Sequence, residues 1–284
     1  MVFTPNLALQ PDEPIELPCG QCVGCRLERS RQWAMRCIHE AQTHEENCFI
    51  TLTFNEEELY KRERPLSIDV REFQKFMKRL RKKYPHKNIR YMHAGEYGDK
   101  SGRPHYHAIL FGIDFNDKQL YTIRNDHRLY TSKTLDNVWG FGFTSIGDVT
   151  FESAAYVARY CMKKITGDVA LSKYQVFDED TGEILYDRDP EYATMSKNPA
   201  VGKAWFEQFK SDVYPKDYVT INGRKMKPPK YYDKMLEKSD PFMFDEMKEE
   251  RIIKGKEMEN QTRERLDTQE EVKKHRIKQL KREL

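Results

Sequence analysis

The sequence predicts an α+β fold, antiparallel strands flanked by helices, and three stretches carry that expectation. Cys48 to Phe54 alternates strictly, with Ile50, Leu52 and Phe54 on one face and Phe49, Thr51 and Thr53 on the other, as a central strand does. Asn88 to Ala94 and Gly102 to Gly112 read as two further strands, and the Gly95 to Gly102 loop has the glycine, Asp and Ser content of a hairpin. Ahead of that hairpin, Phe73, Phe76, Met77 and Leu80 fall at i, i+3, i+4 and i+7, the spacing of a helix with one buried side.

The 284 residues suffice for one sizeable core and an accessory region. With 38% hydrophobic and 33% charged residues, and no apolar run near the roughly 18 residues of a membrane span, the composition argues against a membrane-embedded protein. Met1 to Pro18 has neither a basic flank nor an apolar core, so no secretory signal is expected. The six cysteines, three of them closely spaced, point to reduced thiols or metal ligands rather than to a disulfide framework. A net charge of +3 is too small to argue for nucleic-acid binding from the total, so that argument needs local clusters.

The first such cluster is Cys19-Gly20-Gln21-Cys22-Val23-Gly24-Cys25, a C-x2-C-x2-C run in a glycine-bearing loop. Thiolates this close repel one another unless a cation joins them, and zinc is the default ion. Cys37, His39 or Cys48 can complete such a site, with Cys37 the candidate fourth ligand. Free thiols or a redox cluster are alternatives, although Arg29 stands where an iron–sulfur run carries its fourth cysteine. Leu27 to Glu46 follows as a helix, with Trp33, Ile38 and Ala41 on its packed side and Arg26, Arg29, Arg31 and Arg36 on a basic one. Asp69-Val70-Arg71-Glu72 has the form of a capping box at the head of the next helix. The outer side of that helix carries Lys75, Lys78, Arg79, Arg81, Lys82 and Lys83. It is either a solvated face or a phosphate-contact surface, with Lys75, Lys78, Arg79 and Lys82 as the DNA-binding candidates. Residues 113–137 show no clear period and read as an insertion with a short element of its own. Phe141 to Thr150 is expected to close the sheet, and Glu152 to Ile165 to form a helix stopped by Gly167.

The chemistry concentrates on the Gly102 to Gly112 strand. His105, His107, Ile109 and Phe111 share one face, and Tyr106, Ala108 and Leu110 the other. Residues two apart on a strand stand roughly 6.6 Å apart, so both imidazoles can lean toward one cation. The hairpin brings Glu96 or His93 beside them, a choice that a one-residue slip of register reverses. A carboxylate is the better third ligand for a hard ion such as Mg²⁺ or Mn²⁺, which favours Glu96. On the 152–165 helix, Tyr156, Tyr160 and Lys163 lie in a narrow arc opposite Ala154, Ala158, Cys161 and Ile165, so the tyrosine face is expected to look outward from the core. A phenol that attacks a DNA phosphate stores the energy of the phosphodiester in a phosphotyrosine bond. Its pKa of about 10 leaves it roughly three units short at neutrality, on the order of 4 kcal/mol, a deficit that a metal-polarised phosphate and Lys163 can offset.

Together, His105-Tyr106-His107, the strand from Phe49 to Phe54 and Tyr156-x-x-x-Tyr160-x-x-Lys163 resemble the three motifs of the HUH endonucleases that initiate rolling-circle replication. The two-tyrosine form resembles the replication initiators of small isometric single-stranded DNA phages. The cysteine-rich opening, the Gly95-Glu96-Tyr97-Gly98 loop and the Pro104-His105-Tyr106-His107 strand are most similar to the gokushovirus branch of the Microviridae. The resemblance spans residues 19–167 and implies a single-stranded DNA nicking and joining endonuclease that acts through a 5′-phosphotyrosyl intermediate. It implies an HUH/Rep palm, RRM-like, with a sheet of about five strands, Mg²⁺ or Mn²⁺ at His105, His107 and Glu96, and Tyr156, Tyr160 and Lys163 as catalytic residues. The partners it implies are single-stranded DNA, the viral origin and the host replication helicase and polymerase, in the cytoplasm of the bacterial host cell. Tyr106 stands where the family carries a bulky hydrophobic, on the face turned away from the metal.

The expected organisation is a cysteine-rich segment and first helix (1–47), an endonuclease core (48–167), an accessory region (168–240) and a charged tail (241–284), helical or partly disordered. In the accessory region, Asp178 to Glu183 reads as a hairpin turn and Arg224 to Tyr232 as a basic, aromatic stretch able to touch nucleic acid. Two readings from other classes stay open: a non-catalytic zinc-stabilised DNA-binding module resting on the cysteines, and a metal-dependent hydrolase or oxygenase using the two-histidine strand. Neither needs two phenols and a lysine on one helical face.

Overall fold

The structure, a computed structural model, describes residues 18–20, 22–98, 101–124, 127–160, 173–178, 180–255 and 262–278. Along the chain run α1 (Val23–Gln42), β1 (Asn47–Leu52), α2 (Glu56–Tyr60), α3 (Val70–Lys83), β2 (Arg90–Tyr97), β3 (Pro104–Phe111), β4 (Gln119–Arg124), β5 (His127–Thr131), α4 (Lys133–Trp139), β6 (Thr144–Gly147) and α5 (Phe151–Tyr160). They are followed by β7 (Gln175–Phe177), β8 (Ile184–Asp187), β9 (Tyr192–Met195), α6 (Lys203–Val213), β10 (Val219–Ile221), β11 (Arg224–Met226), α7 (Lys230–Ser239), α8 (Pro241–Gly255) and α9 (Arg263–Lys278).

The sheet has seven strands in the order β4-β5-β6-β1-β3-β2-β9, every pairing antiparallel. Two sources add to the roughly five strands expected. The insertion after Ile113 folds as the β4–β5 hairpin and α4, which Ser132 opens by accepting from Leu135 N and Gly140 ends at φ 75°, a conformation that costs glycine nothing. The accessory region returns as β9 along the far edge of β2. The Asp178 to Glu183 turn joins β7 and β8 as its composition suggests.

Alternation along the strands sorts the core into two layers. Ile50, Leu52, Tyr106, Ala108 and Leu110 are buried against Phe73, Phe76, Met77 and Leu80 of α3 and Leu135, Val138 and Trp139 of α4. Phe49, Met92, Ala94, Ile109 and Phe111 are buried on the opposite face with Ala34 and Cys37 of α1 and Ala154, Val157 and Ala158 of α5. Each large apolar side chain so buried contributes about 1.5 to 3 kcal/mol, which sets the register against a slip. The expected capping box at α3 is not formed. Asp69 accepts from Arg71 N at 2.8 Å, but Glu72 turns to Arg62 Nε at 2.7 Å and to the Tyr106 hydroxyl, and Tyr106 Oη takes the Asp69 N–H at 2.8 Å.

The outer side of α1 is also buried. Met35 joins Trp205 and Phe206 of α6, Tyr232 and Leu236 of α7 and Met247 of α8 in a third core. His39 stacks on Trp205, ring centroids 3.5 Å apart, with Nδ1 2.8 Å from Tyr232 Oη. Arg36 donates twice to Val201 O while lying 4.0 Å over the rings of both Trp33 and Tyr231. The chain after residue 240 is therefore not a solvated tail throughout: α8 packs back through Met247, and Arg251 bridges Asp217 and Asp233 at 2.7 and 2.9 Å.

Candidate metal and tyrosine site

Register decides which residue joins the two histidines. Glu96 stands opposite His105 and Ala94 opposite His107, and facing residues of neighbouring strands point to the same side. His93 therefore points to the other face, stacked on Phe73 at 3.5 Å with Nδ1 3.0 Å from Thr194 Oγ1. Glu96 Oε1 lies 2.7 Å from His105 Nε2 and 2.9 Å from His107 Nε2.

The outer nitrogens are held as well. His105 Nδ1 is 3.2 Å from Arg103 O, and since a carbonyl only accepts, that nitrogen carries the proton and Nε2 of a neutral ring offers its lone pair inward. His107 Nδ1 is 2.9 Å from Thr51 Oγ1, its neighbour in register on β1. Burial acts to raise the Glu96 carboxyl, but hydrogen bonds from His105 and His107 outweigh it and hold its pKa down to about 2. Two imidazole lone pairs aimed at one carboxylate oxygen repel it unless positive charge joins them, as ring protons or as a cation. Two nitrogens and a carboxylate whose ligand atoms all lie within 4.8 Å of one another fit a divalent ion. The His105 side chain is 18% exposed against 7% for His107, so the site opens on the His105 side.

Tyr156 closes the other side. The sequence places the tyrosine face of α5 outward, whereas Tyr156 is 8% exposed and faces the sheet. Its ring meets His107 edge-on at 5.1 Å and Phe49 at 6.4 Å, and Phe49 itself stacks on His107 at 5.6 Å. The reason is α1, which covers the small Ala154 and Ala158 side closely enough for Ser30 Oγ to donate to Ala155 O at 3.0 Å, leaving the phenol to fill the space over the sheet. Tyr160 is the last residue of α5. Its side chain and Lys163 lie outside the described residues.

Residues 47–165 match the family described as replication-associated protein ORF2. Over 250 residues the chain is 35% identical to replication-associated protein VP4 of Bdellovibrio phage phiMH2K, covering 85% of this chain and 74% of that protein. The chain belongs to the phage replication-associated protein family. Replication-associated protein ORF2 of Spiroplasma virus 4 is 34% identical over 248 residues, 83% of this chain and 72% of that one. Replication-associated protein ORF4 of Chlamydia phage 1 is 31% identical over 238 residues, 81% and 56% of the two chains. No solved structure matches. In this replication-associated protein the family match contains Thr51, Glu96, His105, His107 and Tyr156, and leaves α1 and the three clustered cysteines outside it. Among the described residues no helix is long and apolar enough to cross a membrane.

The ligand atoms of Cys19, Cys22 and Cys25 lie within 4.8 Å of one another at the head of α1. A hydrogen bond from the Gly20 backbone favours the Cys25 thiolate, but the neighbouring Cys22 and Cys19 thiols outweigh it and raise the thiol pKa. Cys37 does not join them. It lies twelve residues beyond Cys25 on one continuous helix, about 18 Å along the axis, buried with its Sγ 3.1 Å from Met92 Sδ. The basic face of α3 lies on the opposite side of the sheet from the histidines. Lys75, Lys78 and Lys82 are exposed there, but Arg79 is committed to the fold, donating to Val138 O at 2.7 Å and Trp139 O at 2.8 Å at the end of α4. Sequence reasoning missed Phe49 and Thr51 as site residues, although both lie on the same face of a strand already identified. It also missed Arg159, whose guanidinium is 5.8 Å from the Tyr156 ring.

Proposed function

We propose that this protein nicks and rejoins single-stranded DNA to initiate rolling-circle replication, with Tyr156 and Tyr160 as nucleophiles and Lys163 as their cationic partner. The observation that carries the reading is the convergence of Glu96, His105 and His107 beneath the Tyr156 ring on one face of the sheet. Glu96, His105 and His107 hold Mg²⁺ or Mn²⁺ in this reading, an ion that supplies polarisation of the scissile phosphate. Glu96 keeps both imidazoles turned inward, Thr51 and the Arg103 carbonyl fix their outer nitrogens, and Phe49 and Tyr156 keep water from the His107 side.

In the step itself a tyrosine oxygen bonds to phosphorus, its proton passes to solvent or a base, and the 3′-oxygen of the preceding nucleotide leaves and is protonated. The products are a 5′-phosphotyrosyl bond and a free 3′-hydroxyl, which host polymerase and helicase at the viral origin can extend. Attack by a 3′-hydroxyl on the phosphotyrosine reverses the step and closes the strand without ATP. Lys75, Lys78 and Lys82 contact phosphates away from this chemistry, across the sheet.

Incubation with origin-bearing single-stranded DNA and Mn²⁺, followed by mass analysis of covalent adducts, tests the reading. Tyr156→Phe and Tyr160→Phe each retain adduct formation but release few closed circles, and the double variant forms no adduct. His105→Ala with His107→Ala binds DNA and forms none. Adduct in the double tyrosine variant, or unchanged cleavage without the histidines, overturns it.

A further inference from the structure

The cysteine cluster at the head of α1 has no part in that chemistry, yet it has the geometry of a built site. Cys19 Sγ and Cys25 Sγ are 4.0 Å apart, and sulfurs around a tetrahedral zinc at about 2.3 Å stand about 3.8 Å from one another. Cys22 N donates to Cys19 Sγ at 3.2 Å and Cys25 N to Cys22 Sγ at 3.5 Å, the donors that a thiolate at a helix start attracts. Arg29, one turn after Cys25, brings Nη2 to 3.6 Å from the position a Cβ on Gly20 would take, so a guanidinium borders the loop that carries the sulfurs. Three thiolates around Zn²⁺ carry one net negative charge, which that guanidinium balances.

The position of this cluster matters more than its presence. Residues 43–46 turn α1 into β1 and residues 148–150 turn β6 into α5, while β1 and β6 are antiparallel, so α1 and α5 cross the same face in opposite directions. Their contact is anchored where Ser30 Oγ meets Ala155 O. Five residues away from that contact, backward on α1 and forward on α5, Cys25 comes level with Tyr160 at the common rise of about 1.5 Å per residue. We propose that Cys19, Cys22 and Cys25 hold one zinc ion, and that this ion fixes the first turn of α1 and through it the last turn of α5, where Tyr160 stands.

The test uses the full chain. Elemental analysis should find about one zinc per chain in the wild type and in His105→Ala with His107→Ala, and essentially none in Cys22→Ser. Hydrogen exchange measured before and after chelation should show the amides of residues 156–160 exchanging about tenfold faster without zinc, with β1 and β3 unchanged, and added Zn²⁺ but not Mg²⁺ restoring them. Because chelation acts on the wild-type chain, the result stands even where Cys22→Ser fails to fold. Absence of stoichiometric zinc, zinc lost with the histidines instead of the cysteines, α5 exchange indifferent to zinc, or acceleration that spreads to β1 and β3 would each overturn the proposal.

Discussion

Replacing Thr51 with valine removes one hydroxyl, keeps the branched shape a central strand favours, and touches no proposed ligand of the site. That hydroxyl stands 2.9 Å from His107 Nδ1. Outer partners of metal-binding histidines are worth about 10- to 100-fold in metal affinity, which is about 1.4 to 2.7 kcal/mol. His107 is also held by the Phe49 stack and by Glu96, so its ring stays in place and the loss falls near the 10-fold end. Global stability should drop by only about 1 kcal/mol, the net worth of one hydrogen bond. Calorimetric Mn²⁺ titration of wild type, Thr51→Val and Thr53→Val decides the matter. The Thr53 hydroxyl donates to Phe143 O at 2.8 Å, away from the histidines, so its loss should change affinity by no more than about 2-fold. Wild-type affinity in Thr51→Val, or an equal loss in both variants, refutes the assignment of Thr51 as the residue that orients His107.

Three further outcomes follow from the packing. Burial pushes the His39 pKa from 6.5 down to about 3, so the unfolded chain takes up a proton that the fold refuses; stability is full above pH ~6.5 and is lost on acidification, by about 2.7 kcal/mol at pH 4.5. Urea unfolding should show that loss in the wild type beyond whatever His39→Phe loses, and identical losses would disprove it. Arg79→Ala should cost about 1 to 2 kcal/mol by freeing the Val138 and Trp139 carbonyls, with single-stranded DNA affinity unchanged, whereas a weaker complex at unchanged stability would return Arg79 to the DNA surface. Tyr106→Phe removes the hydroxyl shared by Glu72 and the Asp69 N–H and should lower the urea midpoint by about 1 to 2 kcal/mol equivalent while leaving Mn²⁺ affinity alone, because that ring faces α3; a change in Mn²⁺ affinity would contradict it.

What the sequence makes legible is local. The two faces of Cys48 to Phe54 and of the histidine strand, and the buried side of α3, follow from periods of two and 3.6 residues, which neighbouring residues alone determine. Pairing is another matter: whether Glu96 or His93 meets the histidines depends on hydrogen bonds between residues 90–97 and 104–111, and no periodicity within either strand encodes that offset. The outward reading of Tyr156 failed for the same reason, since the helix that covers the alanine side of α5 lies more than a hundred residues earlier. Cys37 was recoverable, because starting α1 at Val23 instead of Leu27 makes the helix unbroken and sets that thiol about 18 Å from the cluster. Arg79 was not, because its acceptors belong to an insertion with no readable pattern.

The pairing of β9 with β2 bears on how such proteins can be cut or recombined. Residues 47–165 carry the family signature, but they lack the strand that covers the backbone of Met92 to Gly95 and the helix that roofs Phe49, Ile109 and Phe111. A fragment limited to that signature would bare a row of unpaired amides and carbonyls one residue from Glu96, together with an apolar strip that invites aggregation. Exchange between related phages that moved only the signature would likewise separate a nuclease sheet from its own edge. The smallest heritable block that keeps edge, roof and site together runs from the cysteine loop through α8.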